Sequence, residues 1–110
     1  MVTENKSISP TDLGGGVTRK VLSYSRNLMA VELHFQKGAV GAKHSHPHEQ
    51  IGYIVSGRLA YQEEGSPDRV LETGDTYYVP SNTVHGVEIL EDTVLLDIFT
   101  PMREDFVQQS

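Results

Sequence analysis

Apolar and polar residues alternate along most of the chain with a period of two. The clearest stretch is Met29 to Gln36. Met29, Val31, Leu33 and Phe35 share one face, and Ala30, Glu32, His34 and Gln36 share the other, the signature of a half-buried strand. Val17 to Tyr24 predicts a strand before it, and Lys37-Gly38 a turn after it. Ile51 to Val55 is an apolar, β-branched run that stops at Ser56-Gly57, and Arg58 to Gln62 follows. Glu63 to Asp68 has the composition of a hairpin loop. Arg69 to Glu72 and Thr76 to Val79 are short strands on either side of the turn Thr73-Gly74-Asp75. After Pro80-Ser81-Asn82 come two more, Val84 to Leu90 and Thr93 to Phe99. A helical turn is expected only in the tail, within Arg103 to Gln109. Many short strands at even spacing predict an all-β sandwich or barrel, jelly rolls included.

A length of 110 residues suits one domain. Residues 1–16, ending in Gly14-Gly15-Gly16, read as a lead-in, 17–100 as the barrel and 101–110 as a tail. A net charge of -6 argues against nucleic acid and anionic membranes as partners, because phosphates need cations to neutralise them. No stretch approaches the ~20 apolar residues of a membrane span. Met1 to Pro10 lacks an apolar signal core, so the expected location is cytoplasmic. The absence of cysteine removes disulfides, thiolate metal sites and cysteine nucleophiles.

The chemistry concentrates in His44-Ser45-His46-Pro47-His48-Glu49-Gln50. Residues two apart on a strand point the same way, so His44 and His46 are expected to grip one ion together. Gln50 has the same parity and can add an oxygen. His85 opens a later strand. Three imidazoles and an amide oxygen suit a borderline divalent ion such as Ni, Fe, Zn, Co or Mn. Glu49 has the opposite parity and is expected not to ligate. His48, after Pro47, is assigned a structural role, and His34 lies on a solvated face with Glu32 and Gln36.

These residues resemble the two motifs of the cupins. Gly38, His44, His46, Gln50 and Gly57 keep every spacing of the first, with Gln50 where the pattern has Glu. Gly74, Pro80, Asn82, His85 and Ile89 follow the second, with Asn82 for a glycine and Ile89 for an asparagine. Asn tolerates the left-handed backbone a glycine would adopt there. The resemblance implies an RmlC-like jelly-roll barrel with a metal on His44, His46, Gln50 and His85. A neutral ligand set leaves a divalent ion its full charge, which favours an anionic substrate.

Thr93 to Phe99 is apolar apart from Asp97. A carboxylate there is costly to bury unless it is paired, hydrogen-bonded or protonated. Leu95 and Phe99 share its face, and Arg103 follows closely enough to fold back over the barrel mouth. Two readings stand side by side. Asp97, Phe99 and Arg103 line one pocket, or Asp97 and Arg103 form a structural ion pair over an ordinary core phenylalanine.

The run from Leu95 to Phe106 is similar to the tail of the KdgF cupins of pectin and alginate degradation. Gly16 to Leu22, the His-x-His-Pro-His-x-Gln core and Pro80-Ser81-Asn82-x-x-His85-Gly86 are similar as well, and the likeness runs from about residue 13 to residue 106. It implies metal-dependent conversion of 4,5-unsaturated uronate monosaccharides, small anionic sugars, to linear 5-keto-4-deoxyuronates. It also implies site roles for Asp97, Phe99 and Arg103, and a homodimer. The other readings are a different metal-cupin enzyme (a sugar isomerase or a dioxygenase) or a sugar-binding cupin without activity.

Overall fold

In the computed structural model, which describes residues 1–107, the alternating segments form ten strands. They are β1 (Thr11–Gly14), β2 (Val17–Ser25), β3 (Leu28–Phe35), β4 (Val40–His44), β5 (Glu49–Ser56), β6 (Arg58–Glu63), β7 (Arg69–Glu72), β8 (Thr76–Val79), β9 (His85–Ile89) and β10 (Thr93–Thr100). A 3-10 turn (Asn5–Ser7) precedes them and a short helix, α1 (Glu104–Val107), follows. One sheet has the order β1-β2-β3-β10-β5-β8 and the other β4-β9-β6-β7. This is the expected all-β jelly roll, built as two sheets whose ladders do not close into a single ring.

The period of two decides what is inside. On β3, Met29, Val31 and Phe35 are buried while His34 is exposed. On β10, Thr93, Leu95, Asp97 and Phe99 all face inward. The main core joins both sheets: Phe35, Ile54 and Leu95 come from the larger, Leu59, Val87 and Ile89 from the smaller. Each such side chain stabilises the fold by roughly 1.5–3 kcal/mol when fully buried. A second cluster, Met29, Val31 and Phe99, receives Met102, Phe106 and Val107 from the C-terminal segment.

The lead-in, residues 1–16, is ordered against the sheet: β1 pairs with β2, and Asn5 donates to Glu32 at 3.0 Å. β4 was not foreseen, because almost all of its residues are exposed and it carries no alternating apolar signal. The helical turn expected within Arg103 to Gln109 is α1, Glu104–Val107, and residues 108–110 lie outside the described residues.

The two motif turns hold the shape the site needs. Asn82 has φ 61, the left-handed conformation anticipated for its position. Its backbone N–H donates to the carbonyl of His46 at 2.7 Å and so ties the second motif to the first. At Gly57 (φ 104) a Cβ would meet the carbonyl oxygen of Asp92 at 2.3 Å, which explains the glycine that ends the first motif.

Candidate metal centre

β4 and β9 pair antiparallel with His44 directly opposite His85. Two glycines allow the close approach. A Cβ on Gly86 would lie 2.7 Å from the carbonyl oxygen of Gly41, and one on Gly41 would lie 2.8 Å from Val87 Cγ2. The strand ends at His44, so His46 reaches the same point from the loop beyond it. Gln50 faces inward because of the alternation of β5, the next strand, in which Glu49 and Ile51 face out. The expectation that one strand carries His44, His46 and Gln50 is therefore corrected: two strands and a loop bring them together.

The ligand nitrogens of His44, His46 and His85 lie within 4.8 Å of one another. Each ring is oriented by a backbone carbonyl. Nδ1 meets Ala42 O at 2.9 Å in His44, His48 O at 3.0 Å in His46 and Thr83 O at 2.8 Å in His85. A carbonyl only accepts, so each Nδ1 carries the proton and each Nε2 keeps its lone pair, the tautomer a metal requires. Burial, helped by the nearby Arg103 cation, lowers the pKa of His46; burial likewise lowers that of His85. Both are thereby held neutral.

Gln50, 5% exposed, places Oε1 3.0 Å from His46 Nε2. Its amide also hydrogen-bonds to the Asp97 carboxylate, which can only accept. That turns the amide nitrogen towards Asp97 and the oxygen towards His46. Two lone-pair atoms then face each other, an arrangement a cation between them relieves. The donor set fits a borderline divalent ion.

Asp97 is 4% exposed, and its Oδ1 accepts from the Tyr77 hydroxyl at 3.2 Å. Burial pushes its pKa up to about 6, against the opposing pull of Gln50, Tyr77 and the Arg103 charge. Arg103 pairs with Asp105, through Nε at 3.2 Å and Nη2 at 3.0 Å. Among the described residues there is no Asp97–Arg103 ion pair, so that reading falls. Phe99 is buried with its ring edge-on to His46, centroids 5.7 Å apart. A cavity of about 300 Å³ is lined by His44, Gln50, His85, Asp97, Phe99 and Arg103, with further apolar walls. A polar cavity of about 550 Å³ beside the β1–β2 turn contains none of these groups.

The remaining assignments also have definite places. Glu49 accepts from the Tyr78 hydroxyl at 2.9 Å. His48 Nε2 donates to the Met102 carbonyl at 3.1 Å and anchors the C-terminal segment. His34 contacts Glu32 at 2.8 Å. Three residues near the site received no role from sequence reasoning: Tyr77, Phe106 and Arg19. Only Arg19 carries a signal, a charge on the inward parity of β2.

Comparison with known proteins identifies the family. Residues 31–99 match the Cupin domain family. Over 98 residues the chain is 45% identical to the pectin degradation protein KdgF of Dickeya dadantii (strain 3937), covering 87% of this chain and 88% of that one. The fold superposes on KdgF from Halomonas sp. with a TM-score of 0.91 at 38% identity, covering 96% and 99% of the two chains. An RmlC-like cupin from Shewanella frigidimarina NCIMB 400 gives a TM-score of 0.91 at 37% identity, covering 96% and 94%. The chain belongs to the cupins and, among them, to the KdgF family.

Proposed function

We propose that the protein is a metal-dependent enzyme that converts 4,5-unsaturated uronate monosaccharides to linear 5-keto-4-deoxyuronates. The observation that carries the reading is one cavity lined by three kinds of group: His44 and His85 of the histidine triad, a buried carboxylate and a cation. Kinship with a pectin degradation protein supports the substrate class.

The substrate is a cyclic hemiacetal whose ring oxygen is part of an enol ether. In the reaction the anomeric hydroxyl loses its proton, and the bond between carbon 1 and the ring oxygen breaks to free an aldehyde. The enolate left at carbon 5 becomes a ketone when carbon 4 gains a proton. One proton leaves oxygen and one reaches carbon, so the product is an isomer and no oxidant is needed.

His44, His46, His85 and Gln50 would hold a divalent ion, which would supply Lewis acidity to substrate oxygens. Arg103 receives the carboxylate. Asp97 carries the proton, as base at the anomeric hydroxyl or as acid at carbon 4, and burial raises its pKa above the usual carboxylate range. Phe99 packs on the sugar and excludes water.

The test follows the ultraviolet absorbance of the conjugated double bond of unsaturated galacturonate, with metal-loaded wild type, Asp97→Asn and His85→Ala. Loss of absorbance well above the spontaneous rate, absent in both variants, is the expected result. An unchanged decay with wild type, repeated on the alginate-derived isomers, overturns the reaction and leaves a sugar-binding cupin or a different metal-cupin enzyme.

A further inference from the structure

β2 carries a charge where its pattern calls for an apolar residue. Val17, Arg19 and Val21 share its inward parity, and Arg19 is buried. Burying a guanidinium is unfavourable unless it meets specific partners. Here the guanidinium carbon lies over the ring of Phe106, 4.0 Å from its centroid. The guanidinium carbon of Arg103 lies over the same ring at 4.3 Å, and 5.2 Å from the centroid of Phe99. The two rings meet edge-on at 5.8 Å. One aromatic ring thus touches two cations that repel each other, which the negative faces of its π-system make favourable.

Arg103 is therefore subject to opposed attractions. Asp105, whose side chain is 60% exposed, holds Nε and Nη2 from the solvent side. Phe106 and Phe99, which line the cavity, hold the guanidinium from within. The Arg103 side chain is only 13% exposed. Neither bond to Asp105 uses Nη1, which is left for a ligand. Without the rings, the ion pair alone would set the guanidinium's position and draw it towards solvent.

We infer that Arg19 and Phe106 are positioning residues of an anion clamp: Phe106, held by Arg19, keeps the Arg103 guanidinium at the cavity wall, where it receives the carboxylate of a monosaccharide acid and discriminates against the neutral sugar. The inference rests on the reading in which Arg103 binds the substrate carboxylate.

The experiment uses metal-loaded protein and two readouts. Steady-state kinetics on unsaturated galacturonate are joined to calorimetric titration with saturated galacturonate and, as a neutral control, galactose. Phe106→Leu keeps an apolar side chain to dock α1 but removes the π face; Arg19→Met keeps length but removes the cation. Each is expected to raise KM and weaken galacturonate binding about three- to tenfold. In both, kcat should stay within about twofold, with metal content and galactose binding unchanged. Phe106→Tyr, which keeps the ring, should restore wild-type KM. A merely structural contact would leave KM and galacturonate binding unchanged in Phe106→Leu and Arg19→Met while Arg103→Met weakens both, and that result overturns the inference. If Arg103→Met leaves galacturonate binding intact, or wild type does not bind galacturonate, the carboxylate role of Arg103 is overturned and the clamp with it. If wild type binds galacturonate but turns over no unsaturated uronate, the proposed reaction falls, and the binding arm still decides the clamp.

Discussion

Tyr77 and Asp97 meet across Gly52. In the larger sheet Gly52 is the register partner of both, Tyr77 on one side and Asp97 on the other. Neighbouring strands lie about 4.8 Å apart, so the two side chains start two strands from each other. Because Gly52 has no side chain, the phenol crosses that gap and donates to Asp97 at 3.2 Å. A Cβ on Gly52 would sit 2.2 Å from Tyr77 Cζ and 2.6 Å from its oxygen. Gly52→Ala must therefore displace the phenol. We expect it to cost about 1–3 kcal/mol of stability, the usual range for overpacking, and to lower kcat. Thermal unfolding together with the ultraviolet assay checks both effects.

Tyr77→Phe isolates the hydrogen bond from the packing. The hydroxyl favours the charged carboxylate, so its loss raises the Asp97 pKa further above about 6. Whichever way Asp97 passes its proton, the limb of the pH–rate profile that it controls is expected to move to higher pH. Loss of the bond should cost about 1 kcal/mol of stability. A limb that stays in place would mean that the phenol does not bear on the ionisation.

The buried carboxylate of Asp97 costs the fold stability. Its pKa rises from 3.8 to about 6 on folding because burial disfavours the carboxylate. Between those values the folded state binds more protons than the unfolded one, so stability falls as pH rises. The loss is complete above pH 6 and amounts to about 3 kcal/mol. Asp97→Asn has no such titration. In metal-free protein it should be more stable than wild type at pH 7–8, and the advantage should fade as pH falls towards 4. Denaturant unfolding at a series of pH values measures this, and equal stabilities at pH 8 would contradict it.

Much of this was legible in the sequence, for reasons that differ from residue to residue. β3 and β10 are half-buried, so alternation exposes them and puts Asp97 beside Leu95 and Phe99 on the inward face. β4 buries almost nothing and left no pattern to read. His44, His46 and Gln50 were found by motif spacing, although strand parity explains neither the loop position of His46 nor the placement of Gln50 on β5. Tyr77 was out of reach, because its link to Asp97 depends on β8 and β10 flanking the same strand, a long-range pairing that local pattern does not specify. Arg19 differs again: its parity marked it as inward, but its partner, Phe106, lies at the far end of the chain.

The donor set makes a sharper prediction through Gln50. Gln50→Glu restores the common cupin residue and places a carboxylate 3.0 Å from His46 Nε2 and beside buried Asp97. In metal-free protein two carboxylates then share one dry site, so one must take up a proton, and the variant should unfold at lower temperature than wild type. A divalent ion reverses the balance. A charged ligand holds it more tightly, so competition with a chromophoric chelator should show higher affinity, and metal addition should raise the melting temperature more than in wild type. Turnover should move the other way. The added negative charge partly neutralises the ion, weakens its pull on substrate oxygens, and repels the uronate carboxylate. The amide that hydrogen-bonds to Asp97 is lost as well. Tighter metal with a lower kcat is therefore the expected pair of results. Unchanged affinity would show that position 50 does not ligate, and undiminished turnover would show that the neutral set is not what adapts this site to an anionic sugar.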